Sequence, residues 1–225
     1  LVPFPVELQL QKGGSLKVKT AWNIIAADGL ANEATQARRV LTERIGNIVN
    51  SRQRGTQITL ALDNSLSDDE AYTLAINAKG VTAKGKTARG VFYALMTLDQ
   101  LLRGNGATEC ADAIPALFIS DKPRTHVREL MVDPARTFIP FEDLKAFVPE
   151  MARYKLNAMH LHLVDDQAWR IEIKKYHKLT SIGSIRKEGD GSYYGGFYTQ
   201  EQIKDIVSYA AKRYITVIPE VDLPG

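Results

Sequence analysis

The stretch MHLHLVDDQAW, residues 159–169, combines residue types that bind either metal ions or sugars. His160 and His162 are two positions apart, so their side chains would share one face of a β-strand. Two such histidines with Asp165 nearby are the arrangement that metal-dependent hydrolases on barrels use. Carboxylates also hydrogen-bond sugar hydroxyls, and the indole of Trp169 can pack on the face of a sugar ring.

The metal hypothesis lacks a well-placed third nitrogen or sulfur ligand. The remaining histidines, His126 and His177, and the single cysteine, Cys110, all fall in or beside predicted loops. Residues after the two histidines supply carboxylates and an aromatic ring but no further nitrogen ligand. We therefore expect no metal, and we keep a metal site on His160 and His162 as an alternative.

Polar residues also follow two other predicted strands, in the same position as Asp165 and Asp166 follow theirs. The three groups are Asp133 and Arg136, then Asp165, Asp166 and Trp169, then Glu220 and Asp222. In parallel α/β folds the loops after the strands gather on one face, and that face carries the chemistry. The sequence therefore predicts one cluster of carboxylates, an arginine and an indole.

Each member of this cluster also has a purely structural explanation. Asp133 and Asp222 could cap the turns that follow them. Arg136 could form a surface ion pair, and Trp169 could belong to the core. The residues alone leave these alternatives open.

The elements that would carry the cluster follow a β-α-β-α-β rhythm. Strands are predicted at 127–133, 157–163 and 214–221 from nearly continuous apolar runs. One helix is predicted between Phe141 and Met151, and a second begins at a capping box of Thr199 and Gln202. Apolar strands with helical crossovers imply a parallel sheet covered on both faces.

The first part of the chain has a different pattern. Strands are predicted at 57–62 and 72–76, and helices at 34–48 and 88–102, with Gly104 as the stop of the second helix. This mixture indicates a small α+β domain. Residues 120–126 are polar and without periodicity, so we predict domains at 1–121 and 122–225.

Composition limits the classes of function. Of the 225 residues, 44% are hydrophobic and 24% are charged, as in folded domains. A net charge of +3 is too small to suggest nucleic acid or an anionic membrane as a partner. The single cysteine excludes an internal disulfide framework. No signal peptide is visible, but the first residue is Leu1, so we expect a processed chain and leave the compartment open.

Four motifs resemble the β-N-acetylhexosaminidases of glycoside hydrolase family 20. They are ARGVFYALMTLDQLL (88–102), RELMVDPARTF (128–138), YKLNAMHLHLVDDQAWRIEI (154–173) and GGFYTQEQIKDIVSYAAKRYITVIPEVDLPG (195–225). The resemblance implies a zincin-like α+β domain followed by a (β/α)8 barrel, here its first three β/α units. It also implies glycans with terminal N-acetylglucosamine or N-acetylgalactosamine as partners, retaining substrate-assisted hydrolysis, no cofactor, and export from the cytoplasm.

The resemblance also assigns roles to individual residues. Arg136 resembles the arginine that holds the 3- and 4-hydroxyls of the terminal sugar. Asp165 resembles the aspartate that pairs with a histidine of the site, and Asp222 matches the acidic residue of a D-x-P-G-H turn. His162 would be the strand histidine beneath the pocket, with no metal.

Two positions depart from the family pattern. Glu129 stands where glycine is common, and Thr137 stands where histidine often follows the substrate arginine. Both lie away from the bond that breaks, so they put fine specificity in doubt rather than family membership.

The resemblance places the catalytic residues outside this chain. The histidine that pairs with Asp165 would come directly after Gly225, and the catalytic Asp-Glu pair further along. A complete barrel needs about 250 residues. We therefore expect the 225-residue chain to be inactive by itself, and we keep a non-catalytic glycan-binding protein as a further alternative.

Overall fold

A mixed sheet of six strands organises the first half of the chain, in a computed structural model that describes residues 1–46, 55–103 and 110–223. The strands and helices of this half are β1 (Glu7–Lys17), β2 (Trp22–Ala26), α1 (Ala31–Ile45), β3 (Thr56–Leu62), β4 (Tyr72–Asn77), β5 (Gly80–Gly85), α2 (Ala88–Leu102) and β6 (Ala113–Asp121). The strand order is β1-β6-β4-β5-β3-β2. Neighbours are antiparallel from β1 to β5 and parallel from β5 to β2.

The two predicted strands and the two predicted helices of this half are confirmed. Alternation in β3 buries Ile58 and Leu60 while Gln57 is exposed. α2 packs its apolar residues against the sheet and against α1. α1 ends at Gly46, whose φ of 81° is the left-handed conformation in which glycine commonly ends a helix. Two predicted positions, Ile48 and Gly104, lie outside the described residues.

The chain separates into two units. The first comprises Leu1–His126 together with Arg153–Lys155, and the second comprises Val127–Ala152 and Leu156–Gly225. The domain limits 1–121 and 122–225 stay a prediction. Along the described parts of both units, no helix combines the length and the apolar character that crossing a bilayer requires.

A parallel sheet of three strands organises the second unit. Its elements are β7 (Glu129–Val132), α3 (Phe141–Arg153), β8 (Ala158–His162), β9 (Val164–Asp165), β10 (Ala168–Trp169), a 3₁₀ turn (Lys174–Tyr176), α4 (Lys178–Ser181), β11 (Ile185–Lys187), β12 (Tyr193–Gly195), α5 (Gln200–Ala211) and β13 (Thr216–Glu220). The sheet order is β13-β8-β7, with both pairings parallel. The predicted β-α-β-α-β order and the parallel pairing are therefore confirmed.

The expectation that both faces of this sheet are covered is wrong for the described residues. One face, which carries Met159 and Leu161, is buried. On the other face Met131, His160 and Ile218 lie in register, and Met131 and Ile218 remain 51% and 41% exposed. Successive right-handed crossovers place their helices on the same side of a sheet, so α3 and α5 leave one face open. This open face carries the histidines.

The predicted capping box at the start of α5 is confirmed. The Thr199 hydroxyl accepts a hydrogen bond from the Gln202 backbone N–H at 3.2 Å, and the Gln202 side chain accepts one from the Thr199 N–H at 2.9 Å. Each bond satisfies a donor at the first turn that the helix itself leaves without a partner.

Thr199→Ala should therefore lower the free energy of unfolding by about 1 kcal/mol, as loss of a cap does elsewhere. Urea denaturation followed by circular dichroism measures the change. Thr35→Ala is the matched control, because Thr35 lies on an exposed surface of α1 and bonds only to the preceding turn. Equal effects of the two substitutions would show that the capping box adds nothing to stability.

Candidate active site

The register of the parallel sheet brings the ends of its three strands together. Val132 pairs with Leu161, and His162 pairs with Glu220. Asp133 follows β7 directly, and Asp165 lies three residues beyond His162. The predicted strand-end residues therefore lie at one edge of the sheet, where active sites of parallel α/β folds form.

His162 contacts a carboxylate with each of its ring nitrogens. Its Nε2 lies 2.8 Å from Asp165 Oδ2, and its Nδ1 lies 2.5 Å from Glu220 Oε2. Ionised carboxylates only accept hydrogen bonds, so this arrangement favours the form of the ring in which both nitrogens carry protons. Burial alone would lower the pKa of His162, which is only 5% exposed, but the hydrogen bonds to Asp165 and Glu220 outweigh burial and raise the pKa. Both carboxylates thus favour the imidazolium form of His162, which links Glu220 of β13 to Asp165 of β9.

Arg136 is held between two carboxylates at the same edge. Its Nη2 lies 2.5 Å from Asp165 Oδ2, and its Nη1 lies 2.6 Å from Asp133 Oδ2. The Arg136 side chain is nevertheless 54% exposed. A guanidinium group has five N–H donors, and the hydrogen bond to Asp133 uses one of them, so the group is oriented by two carboxylates while donors remain for a ligand.

Asp165 is the common acceptor of this arrangement. Its Oδ2 is hydrogen-bonded to His162 and forms an ion pair with Arg136. Its Oδ1 accepts a hydrogen bond from the backbone N–H of the exposed Asp166 at 2.7 Å. The hydrogen bond from His162 is the main cause that lowers the pKa of Asp165, to about 2. Asp165 is therefore ionised at neutral pH, and its histidine partner among the described residues is His162.

His160 forms a second bridge on the open face of the sheet. Its Nε2 lies 2.8 Å from Glu220 Oε2, and its Nδ1 lies 3.2 Å from Glu129 Oε1. Glu220 Oε2 thus receives both histidines. Glu129, which departs from the family pattern, contacts His160 on this face.

A metal site does not fit this set of donors. His162, Asp165 and Asp222 place one ligand atom each within 4.8 Å of one another, but His160 is not part of this group. Both nitrogens of His162 face carboxylates, and the guanidinium of Arg136 already neutralises Asp165. Metal ligands must be deprotonated, and here the carboxylates around His162 raise its pKa and so favour its protonated form. The cluster is instead satisfied by its own opposite charges.

The buried side chain of Arg170 binds the backbone of the loop that carries Arg136. Arg170, with 0% exposure, donates to four backbone carbonyl oxygens at 2.6–3.1 Å. The acceptors are the carbonyls of Pro134, Ala135, Ser184 and Gly196. Pro134 and Ala135 lie between Asp133 and Arg136, so Arg170 fixes the turn that presents the exposed guanidinium.

Glycine is required where this buried guanidinium meets the β12 segment. Gly195 has a φ of +146°, and a Cβ there would collide with the Ser184 carbonyl oxygen. The backbone can therefore come close enough for Arg170 to bind carbonyls from both segments.

Two depressions meet at Trp169. One, of about 410 Å³, is lined by Asp165, Asp222 and Trp169 among others, and lies beside the charged cluster. The other, of about 590 Å³, is lined by Trp169, Tyr176 and Ile182. Trp169 is half-buried, and its Nε1–H donates to the Ile171 carbonyl at 2.6 Å. Its indole therefore both packs in the unit and borders the candidate site.

Two features of this site were not predicted from the sequence, namely the bridging role of Glu220 and the buried position of Arg170. Glu220 was recognised as a strand-end carboxylate, but its bridging of both histidines depends on the register between β8 and β13, which local sequence does not reveal. Arg170 lies in an alternating stretch where a charged residue is expected on the solvent side. The only signal available for it was its position next to Trp169.

Parallel strand ends that converge on carboxylates, a histidine and an arginine are typical of enzymes with α/β-barrel folds. The family model "Glycosyl hydrolase family 20, domain 2" matches residues 1–122, and "Glycosyl hydrolase family 20, catalytic domain" matches residues 126–225. The chain belongs to glycosyl hydrolase family 20. The resemblance is confirmed, and so is the predicted fold, an α+β domain followed by the first β/α units of a barrel.

Several relatives match over most of the chain. A beta-hexosaminidase of Porphyromonas gingivalis is 46% identical over 176 residues, which is 76% of this chain and 23% of the relative. A beta-hexosaminidase of Vibrio furnissii is 36% identical over 228 residues, which is 97% of this chain and 35% of the relative.

A solved structure matches the whole chain. It is an exo beta-N-acetylglucosaminidase of Vibrio harveyi in complex with N-acetylglucosamine, with 31% identity and a TM-score of 0.87, over 100% of this chain and 36% of that one. The chain thus spans between about a quarter and about a third of the length of these relatives.

Proposed function

We propose that the full-length protein that carries this chain removes terminal non-reducing N-acetylglucosamine or N-acetylgalactosamine from glycans. Family membership supports the reaction class, and the relatives' names agree with it. The observation that carries the proposal in this chain is Arg136, an exposed guanidinium oriented by two ionised carboxylates at the end of a parallel sheet.

Residues of this chain bind and orient the sugar in this proposal. Arg136 donates to the 3- and 4-hydroxyls, as the family resemblance implies, while Asp133 and Asp165 hold its plane. His162 neutralises Asp165 from the other side, so the carboxylate cannot draw the guanidinium away from the sugar. Asp222 borders the depression beside Asp165.

The proposed reaction is retaining and substrate-assisted. The 2-acetamido oxygen of the sugar attacks the anomeric carbon, a glutamate protonates the leaving oxygen, and an aspartate before it orients the acetamido group. Family resemblance places both acids beyond Gly225. The 225-residue chain would then supply binding without the general acid, a group typically worth about 10²–10⁴-fold in rate.

The full-length protein should release p-nitrophenol from p-nitrophenyl N-acetyl-β-glucosaminide, and a chelator such as EDTA should leave the rate unchanged. The 225-residue chain, assayed in parallel, should release none. Absorbance at pH 5–8 measures the release. If a folded full-length protein turns over neither this substrate nor its galacto epimer but binds N-acetylglucosamine, the protein is a non-catalytic glycan binder. Loss of activity on chelation would favour the metal-dependent alternative.

A further inference from the structure

We propose that Glu220 is a positioning residue, which acts through His162 and Asp165 to hold Arg136 in its substrate-binding orientation. This inference rests on the proposed function, because the orientation of Arg136 matters only if Arg136 meets a sugar. Glu220 ends β13, whereas Arg136 lies in the loop after β7, on the other side of β8. Glu220 therefore acts on the guanidinium only through the residues between them.

The contacts from Glu220 to Arg136 are continuous. Glu220 Oε2 lies 2.5 Å from His162 Nδ1, and His162 Nε2 lies 2.8 Å from Asp165 Oδ2. Asp165 Oδ2 in turn lies 2.5 Å from Arg136 Nη2. Charges alternate along this series as carboxylate, imidazolium, carboxylate and guanidinium. The first two contacts are charge-assisted hydrogen bonds, and the contact between Asp165 and Arg136 is an ion pair.

Glu220 controls the charge of His162, and that charge controls Asp165. With a carboxylate at each nitrogen, the imidazolium form donates on both sides. Without the charge of Glu220, His162 loses its proton at lower pH, and the neutral ring has a single N–H and no positive charge to balance the charge of Asp165. Asp165 would then balance its charge on Arg136 alone and draw the guanidinium out of position.

A direct catalytic role for Glu220 is less consistent with its surroundings. The hydrogen bond from His162 is the main cause that holds the pKa of Glu220 below its usual range, and His160 adds to the effect. A carboxylate so stabilised in its ionised form is a poor proton donor. Its contacts among the described residues are with histidines, so it acts on the site indirectly.

The groups around His162 determine how activity should depend on pH. Asp165 of β9, Glu220 of β13 and Asp133 after β7 all favour its charged form. His160 shares Glu220 with it, Asp222 lies nearby, and Arg136 lies across Asp165. Because these carboxylates raise the pKa of His162, the charged form is present below that pKa and is lost as pH rises through it. We therefore expect kcat/KM to fall on the alkaline side of its pH profile as His162 loses its proton.

Glu220→Gln in the full-length protein tests the proposal. Glutamine has the same shape and can still accept a hydrogen bond, but it removes the charge. We expect kcat/KM at neutral pH to fall by about tenfold to a hundredfold, the range for losing a hydrogen bond between charged groups. The alkaline limb should move to lower pH, and the defect should shrink as the pH is lowered. Glu220→Asp keeps the charge, so it should keep the wild-type limb and recover part of kcat/KM.

Glu201→Gln is the matched control, because Glu201 lies in the first turn of α5 and forms an exposed ion pair with Lys204. It should leave both the rate and the pH profile unchanged, and thermal melting should show that all variants are folded. An unshifted alkaline limb in Glu220→Gln, or a wild-type profile without such a limb, overturns the proposal even if the rate falls.

Binding of N-acetylglucosamine by calorimetry separates this inference from the proposed function. If the wild type hydrolyses the chromogenic substrate and Glu220→Gln does so equally well, only the positioning role fails. If the wild type binds the sugar without hydrolysis, the proposed function fails. The positioning role then requires weaker binding by Glu220→Gln, and equal binding overturns it. Absence of both binding and hydrolysis overturns both.

Discussion

Replacing Arg170 by methionine should lower the free energy of unfolding by at least about 3 kcal/mol. Arg170 donates to four backbone carbonyls from a position with no solvent exposure. Hydrogen bonds to charged groups contribute about 1.5–3 kcal/mol each, and relief of the buried charge offsets part of that sum. Methionine fills a similar volume but leaves four buried carbonyls without their donor.

Chemical denaturation of the full-length protein measures this effect. Arg170→Lys is informative beside it, because lysine keeps the charge but cannot reproduce the planar fork that reaches four acceptors. It should recover only part of the lost stability. Arg38→Met on the exposed side of α1 is the control and should change stability by no more than about 0.5 kcal/mol. A loss at Arg170 as small as the loss at Arg38 would show that the carbonyls find other donors.

Arg136→Ala should lower kcat/KM of the full-length protein by at least about tenfold to a hundredfold. A guanidinium that donates to sugar hydroxyls makes hydrogen bonds of about 1.5–3 kcal/mol, which corresponds to that factor in rate. Since those hydroxyls hold the ring as it distorts toward the transition state, kcat should fall together with affinity. Arg136→Lys should be intermediate, because lysine cannot contact two carboxylates and a sugar in one plane.

Steady-state kinetics with both variants tests this prediction, and Arg38→Ala is again the control. If Arg136 forms only a surface ion pair, the expected result is different. A surface ion pair would cost at most about 1 kcal/mol of stability and nothing in rate. Wild-type kinetics with a slightly lowered Tm would therefore show that Arg136 only ties its loop to Asp133 and Asp165.

The sequence predicted those features that depend on local patterns. Apolar runs identified β8 and β13, and helical spacing identified α2, because their signals lie within a few consecutive residues. The Thr199 capping box was predicted for the same reason. The parallel order followed from the helical crossovers, and with it the gathering of Asp133, Asp165 and Asp222 at one edge.

The remaining features depend on contacts across the chain. Glu220 meets His162 because two strands pair in one particular register, and that register was not readable from either strand. Arg170 donates hydrogen bonds to carbonyl oxygens of three other segments. An arginine in an alternating segment does not by itself indicate that its side chain is buried. Coverage of the sheet was misjudged at Met131, because an apolar run shows that a strand can be buried and not that it is.

The arrangement around Arg170 also has a consequence for the order of folding. Its four acceptors come from the turn after β7, the segment after α4 and the segment after β12. Arg170 lies 14 to 36 residues from these acceptors. The guanidinium offsets the hydration that it loses only when all three segments are in place, so we expect these contacts to form after the transition state. Interactions absent from the transition state act on the unfolding rate. Arg170 should thus slow the unfolding of the second unit and leave its folding rate nearly unchanged.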